Sequence, residues 1–139
     1  MAMKIKAISH QGINVRDMEK AKAFYCGILG FTDAFSIDRD GKPWIEYLKI
    51  APRTFIELFY PDPGQDFPLD NPSYDHLCIG IDDIFACEKA IDAAGWPVFI
   101  RPKQGKDTNW QMWVKDPDGN KIELMQISPD SPQAKACRE

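Results

Sequence analysis

DPDGNKIELMQ, residues 116–126, sets a Pro-Asp-Gly turn ahead of a short strand that holds one carboxylate, Glu123, between Ile122 and Leu124. Glutamate is depleted in strands, so a Glu flanked by aliphatic residues needs a reason to be there. Residues 54–59, TFIELF, carry the same Ile-Glu-Leu core with Glu57 at its centre. Glu57 and Glu123 lie 66 residues apart, and so do the chain's two histidines, His10 and His76. The surrounding pattern keeps this offset: Ile13, Val15 and Asp17 map onto Ile79, Ile81 and Asp83. Trp44, Leu48 and Lys49 map in the same way onto Trp110, Val114 and Lys115. The chain therefore reads as two copies of one module, each supplying one His and one Glu.

Each copy reads β-α-β-β-β, which gives an α+β fold of two modules in tandem. Residues 4–15 alternate as a strand, and Asp17 stands where a helix N-cap belongs. MEKAKAFYCGIL then runs amphipathic to a capping Gly30. Strands follow near 32–38, 44–50 and 53–60, with an Asp40-Gly41 turn after the first of them. Residues 61–74 hold four of the eleven prolines and no periodicity, as a linker does. The second copy places strands near 75–81, 97–101, 109–115 and 120–127, and a helix over 83–94 capped by Asp82 or Asp83 and stopped by Gly95. Module one is then 4–60 and module two 75–127, together one domain over 4–127. The polar tail 128–139 is expected to fray, or to lie across a partner subunit.

A chain of 139 residues, 44% apolar and 27% charged, is long enough for a sound core. Its net charge of −4 and the lack of a basic run argue against nucleic acid as a partner. No apolar run approaches membrane-spanning length, and the N-terminus lacks the apolar core of an export signal. Four cysteines without C-x-x-C spacing are then expected as reduced thiols in a cytoplasmic protein, which excludes a zinc ribbon.

Strand side chains alternate between faces, and in all four relevant strands the aliphatic parity is expected against the helices. His10, Glu57, His76 and Glu123 fall on the opposite, concave parity, where two imidazoles and two carboxylates form a nitrogen-oxygen site for one divalent metal ion. Zn, Ni and Co suit such donors, as do Mn and Fe. If Lys115 faces Asn120 across the last turn, Met112 lies opposite Glu123 and Trp110 opposite Met125. The same register in the first copy puts Trp44 opposite Phe59 and Glu46 opposite Glu57. Trp44, Phe59, Trp110 and Met112 would then wall a small-molecule pocket. Lys106, in the loop RPKQGKDTN, offers a cation to an anionic substrate, and Cys78 is read as a small strand filler.

HQGINVRDMEKAKAFYCGILGF, TFIELF, YDHLCIGIDD and DPDGNKIELM together resemble the vicinal-oxygen-chelate superfamily over nearly the whole chain. That superfamily includes glyoxalase I, extradiol dioxygenases, methylmalonyl-CoA epimerases and the fosfomycin- and bleomycin-resistance proteins. The resemblance implies paired β-α-β-β-β modules in a curved mixed sheet around a metal site. Its His, Glu, His, Glu ligand order in glyoxalase I maps onto His10, Glu57, His76 and Glu123. It implies a lyase or isomerase working through an enediolate, with Glu123 as the mobile base and Glu57 holding the metal or sharing the proton. An epimerase, a resistance-type transferase on the same metal, or a non-catalytic binder of small molecules are the alternatives it leaves. Asn14 stands where the bacterial glyoxalase pattern carries an Arg that grips glutathione, and Pro61 replaces an Asn. The metal centre thus carries over and the glutathione grip does not. A homodimer is expected, because an open sheet with exposed edges needs cover, and the resemblance allows His10 and Glu57 to face His76 and Glu123 of the same chain or of a neighbour.

Overall fold

Two aspartates, 66 residues apart, start the two main helices. The Asp17 carboxylate accepts the Lys20 amide at 3.1 Å, and that of Asp83 accepts the Phe85 and Ala86 amides, each at 3.1 Å. Both satisfy amides that the first helical turn leaves without partners. The computed structural model describes residues 4, 7–67 and 74–137. Residues 5–6 of the expected first strand and 68–73 of the expected linker lie outside the described residues.

The chain forms two compact units, Met1–Phe67 and Pro68–Glu139. In the first unit, β1 (His10–Asn14) leads into α1 (Met18–Lys22), which continues as a π-helix over Ala23–Ile28. Three strands follow: β2 (Thr32–Arg39), β3 (Lys42–Ala51) and β4 (Thr54–Phe59). They form a four-stranded mixed sheet in the order β1-β4-β3-β2, with β1 parallel to β4 and the other pairs antiparallel. The second unit repeats this with β5 (Leu77–Gly80), α2 (Ile84–Ala93), β6 (Val98–Gln104), β7 (Trp110–Lys115) and β8 (Lys121–Gln126), in the order β5-β8-β7-β6. Residues 61–67 contain a turn but neither strand nor helix.

The aliphatic parity faces the core, as the alternation requires. Leu48, Ile56 and Leu58 are fully buried in the first unit, and Met112, Val114 and Ile122 in the second. Gly30 and Gly95 end the helices with φ of 79° and 73°, a backbone conformation that favours glycine. Among the described residues, no helix is long and apolar enough to cross a membrane.

The tail departs from expectation. Residues 132–136 form a short helix, α3 (Pro132–Ala136), whose cap Ser131 is fully buried and accepts the Ala134 amide at 3.1 Å. Asn109, also fully buried, accepts the Ser128 amide at 2.8 Å, and the Ser128 hydroxyl donates to the Thr108 carbonyl at 2.6 Å. Ser128 is thereby bonded to Thr108 and Asn109, and Pro132–Ala136 is helical rather than frayed; residues 138–139 of the tail lie outside the described residues.

Candidate functional site

In the first unit the parallel pairing of β1 with β4 sets Gly12 beside Glu57 and His10 beside Phe55. His10 Nε2 lies 3.3 Å from Glu57 Oε2, and the Glu57 residue is only 9% exposed. A Cβ on Gly12 would sit 3.1 Å from the Phe59 ring and 3.5 Å from Glu57 Oε2, so the missing side chain makes room for both. On the other flank of β4, Tyr47 pairs with Glu57, and its hydroxyl donates to Glu57 Oε1. This bond, with burial and the carboxylate's charge adding to it, raises the Tyr47 phenol above its ordinary pKa. The Tyr47 ring stacks on Phe35 at 4.3 Å and meets the edges of His10 and Phe55 at 5.9 and 6.1 Å.

The second unit builds a counterpart with different support. His76 Nε2 lies 3.5 Å from Glu123 Oε1, and Glu123 is 6% exposed. The carboxylate of Asp75 accepts from His76 Nδ1 and is anchored by Lys121 Nζ at 3.3 Å. The bond from His76, then the one from Lys121, lowers the Asp75 pKa. The contact to Asp75 orients the ring so that Nε2 faces Glu123 Oε1, and an imidazole nitrogen beside a carboxylate oxygen is a donor pair that a divalent cation accepts. Trp113 pairs with Glu123 across the ladder and packs edge-on against His76 at 4.6 Å. Cys78 pairs with Glu123 on the other flank; partial desolvation, then the bond to Glu123, pushes its thiol up to about 12.

A family model described as the glyoxalase/bleomycin resistance protein/dioxygenase superfamily matches residues 7–124. The chain belongs to this superfamily. It is 32% identical to a probable lactoylglutathione lyase of Synechocystis over 86% of this chain and 94% of that protein. It is 34% identical to a probable lactoylglutathione lyase of Vibrio cholerae over 86% of this chain and 89% of that protein. Among solved structures, TnmS3, an antibiotic binding protein from Streptomyces, is 26% identical with a TM-score of 0.73, over 91% of this chain and all of that one. Two four-stranded mixed sheets built from tandem β-α-β modules are typical of this superfamily's fold.

Within that architecture, the sequence-derived residues divide. His10 and Glu57 meet in the first unit, and His76 and Glu123 in the second. Among the described residues, no group of three or more His, Cys, Asp or Glu side chains forms a cluster for a metal ion. Each unit offers one imidazole nitrogen and one carboxylate oxygen, the donors that divalent first-row metals accept.

The expected register is one residue out in both ladders. Asp116 Oδ1 accepts the Asp118 and Asn120 amides at 2.9 and 2.8 Å, so the loop takes five residues and Lys115 pairs with Lys121, not Asn120. Met112 consequently faces Leu124 and is sealed in the core at 0% exposure; it is not a pocket wall. Trp110 pairs with Gln126, not Met125, and packs on Phe85 of α2 at 5.3 Å. Its neighbour Gln126 accepts the Ile84 amide at 2.9 Å, which ties both to the helix side of the sheet.

In the first unit β3 and β4 take the equivalent register, reached through an irregularity between Lys49 and Ala51. Phe59 pairs with Ile45 where Trp44 was expected, and Glu57 pairs with Tyr47 where Glu46 was expected. Trp44 lies under the Arg39 guanidinium at 4.5 Å with its edge 6.1 Å from Phe59. Glu46 is buried on the core parity, accepting from the Ser36 and Tyr60 hydroxyls. Phe59 and the exposed Asn14 share the parity of Glu57 and His10, while Lys106 is exposed in the β6–β7 turn. Tyr47 and Trp113 are the neighbours that sequence reasoning missed, although they too stand 66 residues apart.

Proposed function

We propose that this chain is a metal-dependent lyase or isomerase of the glyoxalase I type, in which His10, Glu57, His76 and Glu123 hold one divalent ion, Ni, Zn or Co ahead of Mn or Fe. The observation that carries this reading is the repeated pair: in each unit an imidazole Nε2 lies 3.3 or 3.5 Å from a buried carboxylate at matching positions. Relatives named as lactoylglutathione lyases at 32% and 34% identity support it. When bound, the cation acts as a Lewis acid on the substrate carbonyl and the charge developing beside it.

The substrate is the adduct of an α-oxoaldehyde and a thiol, or a similar small α-hydroxycarbonyl. Glu123 takes the proton from the hydroxyl-bearing carbon, leaving an enediolate, and returns it to the neighbouring carbon. The product is the isomeric α-hydroxy thioester, with no net oxidation or reduction. Glu57, fixed by Tyr47, serves as ligand. Asn14 and Phe59, on the parity of His10 and Glu57, would meet the substrate. The protein works as a homodimer in the reducing cytoplasm, where its four free cysteines stay thiols.

The test is turnover of methylglyoxal with a panel of thiols after loading with nickel, zinc or cobalt, run in deuterium oxide. Thioester formation with solvent deuterium at the α-carbon is expected; no turnover with any metal and thiol would sink this reading. A second reading is a binder of planar aromatic molecules. It is favoured by the Phe35, Tyr47 and Phe55 cluster, whose outer ring, Phe35, is 48% exposed, and by likeness to an antibiotic binding protein. Tight aromatic binding without metal or turnover would select it.

A further inference from the structure

The two half-sites occupy equivalent positions, yet the residue facing each glutamate differs. Tyr47 faces Glu57 and Trp113 faces Glu123. Only the first donates to its carboxylate: the Trp113 indole Nε1 turns away and donates to Gln111 Oε1 at 3.0 Å. On its other flank Glu123 pairs with Cys78, whose thiol is at most a weak donor. We infer that Tyr47 is a positioning residue that fixes Glu57 as a metal ligand and so leaves Glu123 as the carboxylate free to carry the proton.

The geometry gives the reason. The phenol donates to Oε1, while the other oxygen, Oε2, is the one beside His10 Nε2. One carboxylate oxygen is thereby committed to the protein and the other presented to the cation. A hydrogen bond to a ligating carboxylate fixes its orientation. Stacking on Phe35 at 4.3 Å and edge contacts with His10 and Phe55 hold the Tyr47 ring in place, so the hydroxyl meets Oε1 without searching among rotamers.

This inference rests on the metal reading above, and the experiment separates the two. Cobalt(II) affinity is measured on the full chain by competition with a chromophoric chelator, alongside the visible cobalt spectrum. Wild type is compared with Tyr47→Phe, Phe35→Leu and Glu57→Gln. Tyr47→Phe keeps the ring and its stack and is expected to bind cobalt about 10–100-fold more weakly, with an altered spectrum. Phe35→Leu removes the stacked ring but keeps the hydroxyl and the edge contacts with His10 and Phe55, and is expected to weaken cobalt binding by less than Tyr47→Phe does.

If Glu57→Gln weakens cobalt binding but Tyr47→Phe matches wild type, the role of Tyr47 is overturned and the metal reading stands. A loss in Phe35→Leu as large as in Tyr47→Phe also overturns it, because ring packing alone would explain both. Cobalt binding that is absent in wild type, or unchanged in Glu57→Gln, overturns the metal reading and this inference with it.

Discussion

Gly12 and Cys78 occupy the same kind of place, each beside a buried glutamate on a parallel neighbour strand, and they do opposite things there. Gly12 withdraws its side chain and lets Phe59 and Glu57 close in. Cys78 fills the equivalent space with sulfur, where desolvation and the Glu123 carboxylate push its thiol up to about 12. The thiolate is the nucleophile, so alkylation follows its small population. In metal-free protein at pH 8, iodoacetamide is expected to modify Cys78 about 100-fold more slowly than an ordinary thiol, the scarce thiolate being partly offset by its higher nucleophilicity. The sign is fixed by the raised pKa: the rate climbs about tenfold per pH unit from 8 to 11, with no plateau below the thiol's own value. Peptide mapping by mass spectrometry across that range checks it, and a plateau near pH 9 would contradict it. At this scale the meeting of His10 with Glu57 and of His76 with Glu123 was legible because one offset of 66 relates both pairs. Tyr47 was not, since which residue faces a glutamate depends on a turn's residue count, and local hydrogen bonds decide that count.

Between Asp17 and Gly30 there are 13 residue steps, and between the matching Asp83 and Gly95 there are 12. The first helix absorbs its extra residue as a π-helical turn over Ala23–Ile28, in which the Leu29 amide reaches back five residues to the Phe24 carbonyl at 3.0 Å. The wider turn lets the adjacent aromatic rings of Phe24 and Tyr25 both enter the core. Gly27 lies in this turn, with no atom within 4 Å of an added Cβ and no positive φ to require glycine. Gly27→Ala is therefore expected to stabilise the protein by about 0.4–1 kcal/mol through the unfolded chain's lost freedom. Calorimetry should show a melting temperature higher by about 2–4 °C; a fall would mean that the π turn depends on glycine's freedom. The helix was legible from its cap and its apolar face, and the π turn was not, because the insertion shows only when the two copies are aligned cap to cap. Glu46 is a second such case. Strand alternation in one copy leaves its face open, whereas its equivalent, Met112, is fully buried, and the Ser36 and Tyr60 hydroxyls offset the carboxylate's burial.

The duplication was the most legible property of the whole molecule, because each copy must bury the same face of the same strands. What a single chain's sequence carries only weakly is how its sheet edges are covered. Each four-stranded sheet ends in strands bonded on one side within its own sheet: β1 and β2 in the first, β5 and β6 in the second. On β2 the exposure extends over most of Thr32–Arg39 and includes the ring of Phe35, and on β6 it includes the ring of Phe99. Long edges bearing aromatic side chains invite strand pairing or sheet packing, and a twofold partner is the commonest way to satisfy them. Sedimentation equilibrium at micromolar concentration is expected to give a mass near twice the chain's 15.8 kDa. Because dissociation accompanies unfolding of such a dimer, its melting temperature should rise with protein concentration. A mass of one chain over the whole range, with a melting temperature independent of concentration, would remove the homodimer and require the edges to be covered within the chain.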